Sequence, residues 1–333
     1  MEIDSVTSEK SPFAPAHKFG RVGVLMGGPS TEREISLKSG RAVYQALTNL
    51  GLQVCAVDIK TDNSKEVSEL IKSQALDCAF IALHGYFGED GQIQRILDNL
   101  KIPYTGSGAM ASKLAMDKIA SHEILSLNAV RMPAYKTLNK GYYTRSEHIY
   151  EGFTFPVVIK PVTHGSSIGL SIVDSAGELD KAIRYAFSFD ENVLMEEYIE
   201  GREVTVAVLN EKALPVIEIV PKKRFFDFEA KYQSGLTEYI MPALFDEKIT
   251  DTIQQTALMA HRLLGCEGSS RVDMIVTTQK NVVVLEVNTI PGLTETSLLP
   301  KAAKLAGMDF GHLCLTLLEL AYEKAAKGME ARR

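Results

Sequence analysis

Arg271-Val-Asp273-Met-Ile-Val-Thr-Thr-Gln-Lys-Asn-Val-Val-Val-Leu-Glu286-Val-Asn288 alternates polar and apolar residues in both halves. That period of two marks strands with one polar and one apolar face. The segment reads as a β-hairpin turning at Gln279-Lys280, a register that sets Asp273 opposite Glu286 and Arg271 opposite Asn288 on one shared face. Like charges facing each other across a strand pair repel. A hard divalent cation relieves the repulsion, because magnesium accepts a few carboxylate and amide oxygens and fills the rest of its shell with phosphate and water. The alternative is a solvated strand face on which Arg271 neutralises the two acids.

Upstream of the hairpin the pattern changes twice. Residues 20 to 105 alternate strand and helix: strands at 22–26, 54–59, 78–83 and 102–104, helices at 32–49, 64–74 and 91–100, with Gly51 as a helix stop. This βαβ order predicts a small parallel sheet. Two helical stretches follow within 107–127, and after Pro133 strands dominate, at 156–160, 170–173, 193–198, 203–209 and 214–220, with a helix at 176–188. Residues 221–242 carry aromatics and charges without periodicity, and a loop of this length is usually functional. A helix at 250–264 precedes the hairpin, and two helices follow it. The predicted class is α/β followed by α+β. A loose arm (1–18) leads into a parallel-sheet domain (19–112) and two α+β subdomains (113–202 and 203–333), the second with a mobile loop near 221–242.

Composition sets outer bounds. The 333 residues suit two or three domains at roughly 100–200 residues each. With 45% hydrophobic and 23% charged residues the chain is of ordinary globular composition. A net charge of -6 gives no general attraction to nucleic acid or an anionic membrane. No run approaches the roughly 18 apolar residues of a membrane helix, and the arm has no secretory-signal pattern, so a cytoplasmic location is expected. Cys55, Cys78, Cys266 and Cys314 stand far apart without a CxxC pair and read as buried thiols rather than disulfides or a metal site.

Other segments carry candidate chemistry. Phe155-Pro-Val-Val-Ile-Lys160-Pro-Val-Thr-His164-Gly165-Ser166-Ser167-Ile-Gly169 places a lysine at a strand end before a Gly/Ser loop that suits phosphate, although it is not a Walker A loop; a plain surface loop is the alternative. Glu196-Glu197-Tyr198-Ile199, in a connector between strands, offers backbone groups to a purine, and Glu203 offers a carboxylate to ribose; an exposed acidic hairpin fits equally. Gly27-Gly28-Pro29-Ser30-Thr31-Glu32 and Leu83-His84-Gly85 end two parallel strands, the edge where α/β sheets bind ligands. There Glu32 and His84 meet a cationic group, or Glu32 with Ser30 simply caps a helix. After the hairpin, Thr289-Ile-Pro291-Gly292 runs into Ser297-Leu298, a turn with free N–H groups followed by a helix start suited to a carboxylate. Gly106-Ser-Gly108-Ala-Met-Ala111 fits the dinucleotide pattern, but the acid expected some 20 residues later is missing, which leaves a nicotinamide enzyme as a minor reading.

GGPSTEREISL, LHGYFGEDG, MDK at 116–118, IKP with HGSSIG, EGREVTVAVL, FEAKY, RVDM and LEVNTIPGLTETSL, in this order, resemble the D-alanine:D-alanine ligase family of the ATP-grasp superfamily over residues 20 to 325. The resemblance implies an ATP-grasp fold preceded by a Rossmann-like domain. It also implies ATP-dependent joining of two D-alanines through an acyl phosphate, for peptidoglycan precursor synthesis, in a homodimer. By the matching motifs, Lys118, Lys160, Ser166, Ser167 and Lys231 resemble the phosphate contacts, Glu196, Glu197, Tyr198 and Ile199 the adenine hinge, and Glu203 the ribose contact. Asp273, Glu286 and Asn288 resemble ligands for two magnesium ions, with manganese able to substitute. Glu32 and His84 resemble the holders of the first ammonium, Arg271 and Gly292 the stabilisers of developing negative charge, and Ser297 and Leu298 the receivers of the second carboxylate. Tyr232, in FEAKY, resembles the closing-loop residue that meets Ser166 and Glu32; D-lactate-using relatives carry histidine there, so the tyrosine implies a dipeptide product. The chain departs from the family pattern at Phe226 and Phe228, where tyrosine is expected, and at the variable position of His164. A ligase for D-lactate or another D-amino acid, and a nucleotide-binding protein without turnover, are the competing readings.

Overall fold

A computed structural model describes residues 16–144, 147–222 and 235–330. The first sheet orders its strands β2-β1-β3, all parallel: β1 (Arg21–Gly27), β2 (Gln53–Ile59) and β3 (Cys78–Ile81). Helices α1 (Arg33–Asn49), α2 (Ser64–Ser73) and α3 (Gln92–Leu100) alternate with them. Strand β1 carries no polar side chain after Arg21, as suits a strand with both faces covered. Val22, Val24 and Met26 enter one core cluster, while Leu25 enters another with Val67, Ile71, Ile93 and Leu97. The expected strand at 102–104 contributes only a single parallel bridge, Ala79 to Tyr104. Left-handed Lys101 ends α3 just before it and Gly106 turns the chain just after, leaving no length for a ladder.

Helices α4 (Ala109–Met116) and α5 (Lys118–Leu127) lead to a four-stranded antiparallel sheet in the order β4-β7-β5-β6. Its strands are β4 (Tyr135–Asn139), β5 (Val157–Pro161), β6 (Ser171–Val173) and β7 (Asn192–Glu197), and α6 (Ala176–Ala186) packs its Leu179, Ala182 and Ile183 on them. The third sheet, β11-β10-β8-β12-β13 with β9 beside β8, is antiparallel. It comprises β8 (Gly201–Leu209), β9 (Lys212–Ala213), β10 (Ile217–Pro221), β11 (Thr237–Ile240), β12 (Ser269–Thr277) and β13 (Val282–Asn288), and α7 (Glu247–Leu263) covers one face through Ile249, Ile253, Ala257 and Ala260. Helices α8 (Leu298–Leu305) and α9 (Phe310–Glu330) return to the parallel sheet, so Phe80, Leu209, Ile217, Leu299, Leu313 and Leu317 share one core.

Two further expectations change. The strand expected at 214–220 begins only at Ile217, as β10, and the two-residue β9 precedes it. The supposedly aperiodic 221–242 segment contains β11, which pairs with β10; residues 223–234, including Lys231 and Tyr232, lie outside the described residues, as does the arm up to residue 15. At Glu196–Glu203 a short connector joins two strands, as expected; β7 and β8 belong to different sheets, which excludes the alternative of an acidic hairpin. All four cysteines are free, three of them buried. Among the described residues no helix is long and apolar enough to cross a membrane.

Candidate active site

The hairpin of β12 and β13 pairs Arg271 with Asn288 and Asp273 with Glu286, as the alternation predicts, but by a different route. The turn is one residue longer than expected: Thr277 N–H donates to Asn281 O and Lys280, left-handed at φ 63°, ends the loop. Val276 therefore faces Val282, and an unbroken ladder would set Asp273 against Leu285. A shift between Asp273 and Met274 makes Leu285 the extra residue of a β-bulge, which restores the acid-to-acid pairing. Leu285 and Glu286 consequently both line the same cleft.

Asp273 is buried, and Arg271 grips it with two bonds, Nε to Oδ1 at 2.9 Å and Nη2 to Oδ2 at 2.7 Å, while Thr205 Oγ1 donates to Oδ1 at 2.6 Å. Glu286 Oε2 lies 3.8 Å from the Lys118 ammonium, and Asn288 Oδ1 accepts from Ile290 N–H at 2.9 Å. The neutralising arginine of the alternative reading is thus present, on a face that is not solvated. Among the described residues no group of three or more His, Cys, Asp or Glu is placed to hold a metal. Two carboxylates and an amide on one face are nevertheless the hard-oxygen set that suits magnesium alongside a phosphate ligand.

A cleft of about 450 Å³ opens between the second and third sheets, lined by Lys118, Lys160, His164, Ser167, Glu196, Glu197, Tyr198, Ile199, Glu203, Asp273 and Glu286 over an apolar floor that includes Val158, Ile172, Ile275 and Leu285. Asp117 caps α5 through the Ile119 and Ala120 N–H groups, which fixes Lys118 as its first residue. The Lys118 ammonium donates to His164 O at 2.7 Å, tying α5 to the Gly/Ser loop. Ser166 and Ser167 are both left-handed, at φ 52° and 58°. Non-glycine residues rarely hold this conformation, and consecutive turned amides form a concave acceptor for anions. Lys160, on β5, and Glu196, on neighbouring β7, form a buried ion pair at 2.7 Å, so the Glu196 side chain faces Lys160 while the backbone beyond it crosses the cleft end.

A second cavity of about 220 Å³ adjoins the first, and Lys118 and Glu286 line both. Its wall includes Glu32, His84, Glu89, Ser166, Tyr239, Arg271, Asn288, Gly292, Ser297 and Leu298. Glu32 sits at the N-cap of α1 yet makes no side-chain cap bond; its carboxylate accepts from Ser166 Oγ across the cavity. Ser30 supports this strand end, accepting from Glu32 N–H at 3.1 Å and donating to His84 O at 2.7 Å. Gly85 is left-handed at φ +70°, and a Cβ there would come within 2.4 Å of Glu32 Oε2. His84 Nε2 lies 2.9 Å from Ser39 Oγ, which accepts from Leu293 N–H, and its Nδ1 lies 3.4 Å from Glu89 Oε1. Burial pushes the Glu89 carboxyl above the usual range, and the nearby Glu32 charge adds to this against the opposing His84 bond. On the opposite wall Ser297 stands at the N-cap position of α8 without a side-chain cap bond, its Oγ accepting instead from Thr294 N–H at 3.1 Å, and Leu298 begins the helix. A Cβ on Gly292 would stand 2.7 Å from Ser297 Oγ, so only glycine brings this turn so close.

Two protein-family models match the chain: one described as D-ala D-ala ligase N-terminus, over residues 21–70 and 60–107, the other as D-ala D-ala ligase C-terminus, over 124–319. The chain belongs to the D-alanine:D-alanine ligase family. A D-alanine--D-alanine ligase of Trichlorobacter lovleyi is 46% identical over 88% of this chain and 92% of its own length. The solved D-alanine--D-alanine ligase of Bacillus anthracis matches with a TM-score of 0.83 and 32% identity, covering 93% of this chain and 99% of that one. The same enzyme complexed with ATP matches with a TM-score of 0.81 and 30% identity over the same shares. The family's ATP-grasp architecture is therefore the fold of this chain.

The two cavities gather every described candidate residue: Lys160, Ser167, Glu196, Glu197, Tyr198, Ile199, Glu203 and Asp273 line the larger, Glu32, His84, Ser166, Arg271, Asn288, Gly292, Ser297 and Leu298 the smaller, and Lys118 and Glu286 both. Three contributors escaped the sequence reading. Thr205 reads as one more alternating residue of β8, and only the pairing of β8 with β12 sets it opposite Asp273. Glu89 lies within the quoted LHGYFGEDG stretch, and a carboxylate five residues after His84 was the available signal. Tyr239 was hidden in a segment without periodicity.

Proposed function

We propose that the protein joins two D-alanine molecules to D-alanyl-D-alanine with ATP, passing through an acyl phosphate and releasing ADP and phosphate. The observation that carries this reading is the junction: Glu286 and Lys118 border both cavities, so a triphosphate in the larger one ends where a small carboxylate in the smaller one begins. Glu196 to Ile199 take the adenine, Glu203 the ribose, and Lys118, Lys160 and the Ser166-Ser167 loop the phosphates. Glu32 and His84 hold the first D-alanine by its ammonium, which leaves its carboxylate oxygen free to attack the γ-phosphorus as ADP departs. The second amine then attacks the acyl carbon, and phosphate leaves with the former carboxylate oxygen. Arg271 and the Gly292 N–H face the negative charge that grows at this centre, a contribution strongest in the transition state. Ser297 Oγ and the Leu298 N–H receive the second carboxylate at the helix start. Asp273, Glu286 and Asn288 would hold magnesium, as two ions, whose chemistry when bound is to offset phosphate charge. Lys231 and Tyr232 belong to the loop that shields the acyl phosphate from water. A homodimer in the cytoplasm serving peptidoglycan precursor synthesis, divided at 19–112, 113–202 and 203–333, completes the reading.

Incubation with ATP, magnesium and a panel of D-amino acids and D-lactate tests it. Dipeptide and phosphate in equal amounts from D-alanine are expected, with D-lactate giving little ester. Phosphate release that needs no second substrate would contradict ligation, and predominant ester would assign the chain to the D-lactate branch.

A further inference from the structure

Strand β11 brings Tyr239 into the wall of the smaller cavity beside Arg271, Ser297 and Leu298. Behind it, Lys301 holds its ammonium 3.8 Å from the centroid of the Tyr239 ring. Lys301 lies one turn into α8, its N–H bonded to Ser297 O at 3.1 Å. The position is unfavourable on simple electrostatics, because a cation near a helix N-terminus opposes the helix dipole. Burial also draws the lysine below its ordinary proton affinity. What compensates is the ring, whose negative face attracts a desolvated cation. The same charge adds to the positive potential of the helix start where Ser297 and Leu298 await a carboxylate.

We propose that Tyr239 and Lys301 are a positioning pair for the second amino acid. Lys301 strengthens the field that draws in its carboxylate, and the Tyr239 ring fixes that charge in place while closing the wall. The pair also joins β11 to the helix that would receive the second substrate. This inference rests on the ligase reading above.

The test measures kcat and separate KM values for ATP and for the first and second D-alanine in K301M, K301R, Y239F, Y239L and the double variant K301M/Y239L, with thermal melts of each. K301M and Y239L are expected to raise the second KM about tenfold, the size of a moderately desolvated cation–π contact, with the other KM values within about twofold. K301R and Y239F keep a cation and a ring and should stay near wild type. The double variant should be no worse than either single one, because both remove the same interaction. An unchanged second KM in K301M, or a parallel rise of all three KM values with a lowered melting point, overturns the proposal in favour of plain packing. Should K301M not fold, Y239L against Y239F makes the same distinction. Wild-type protein that yields no dipeptide overturns the ligase reading itself, and the pair's role with it.

Discussion

Arg271→Ala separates structural from chemical work at the centre of the site. The Arg271 and Asp273 side chains are only 12% and 8% exposed and share two bonds of 2.9 and 2.7 Å. Removing one member of such a buried pair costs about 3–5 kcal/mol, because the remaining charge stays desolvated. The Thr205 hydroxyl, 2.6 Å from Asp273, offsets part of that. The nucleotide-free variant should therefore melt several degrees lower than wild type. Magnesium with a non-hydrolysable ATP analogue should restore more melting temperature to the variant than to the parent, since binding at a hundred times Kd contributes about 2.7 kcal/mol and now relieves an unpaired carboxylate. Turnover should fall by about a hundred- to a thousandfold, the loss seen when one donor to a developing charge is removed, while ATP affinity changes only a few-fold. Equal losses in kcat and ATP affinity, or a melting point indifferent to magnesium nucleotide, would refute the assignment and leave Arg271 a structural residue.

Other consequences follow from the same geometry. Deleting Leu285 should remove the bulge while keeping Glu286 as the next residue opposite Asp273, so magnesium-dependent nucleotide uptake measured by calorimetry should persist; lost uptake would show that acid-to-acid pairing alone does not hold the metal. Burial pushes the Cys78 and Cys266 thiols up to about 12 and Cys314 higher still, so an aromatic disulfide reagent at neutral pH should modify at most half-buried Cys55 in the native protein and all four thiols after denaturation; a second fast-reacting thiol would contradict the packing. The raised Glu89 carboxyl keeps its proton in the folded state at pH values where the unfolded chain has lost it, so its contribution to stability is present below the usual carboxylate range and declines as pH rises through the raised value. Melting curves across pH should thus fall less steeply for Glu89→Gln than for wild type above that range, and parallel curves would remove Glu89 from the account.

Much of this site was legible in the sequence because its residues lie at the ends of regular elements. Glu32 and His84 follow β1 and β3, Lys160 lies near the end of β5, and Arg271 with Asp273 alternates along β12. The acid pairing was reached through two offsets that cancel: a turn one residue longer than expected and a bulge one residue deep. Period-two alternation fixes which residues share a face only while the ladder is unbroken, and no local composition marks Leu285 as the extra residue. The connector after Glu197 was legible as a link between two strands, but an acidic hairpin stayed open because nothing local tells a strand that it will join another sheet. Thr205 and Tyr239 entered the site through tertiary contacts alone, and the ion pair of Lys160 with Glu196 depends on the pairing of β5 with β7 rather than on spacing along the chain.

The central claim is that a D-alanine carboxylate in the smaller cavity attacks the phosphate held at Glu286 and Lys118. D-alanine labelled with oxygen-18 in its carboxylate, incubated with ATP and magnesium, tests this by mass spectrometry of the released phosphate. The account predicts one labelled oxygen carried into each phosphate, with ADP, phosphate and dipeptide equimolar. Unlabelled phosphate, or AMP and pyrophosphate in place of ADP, would contradict it.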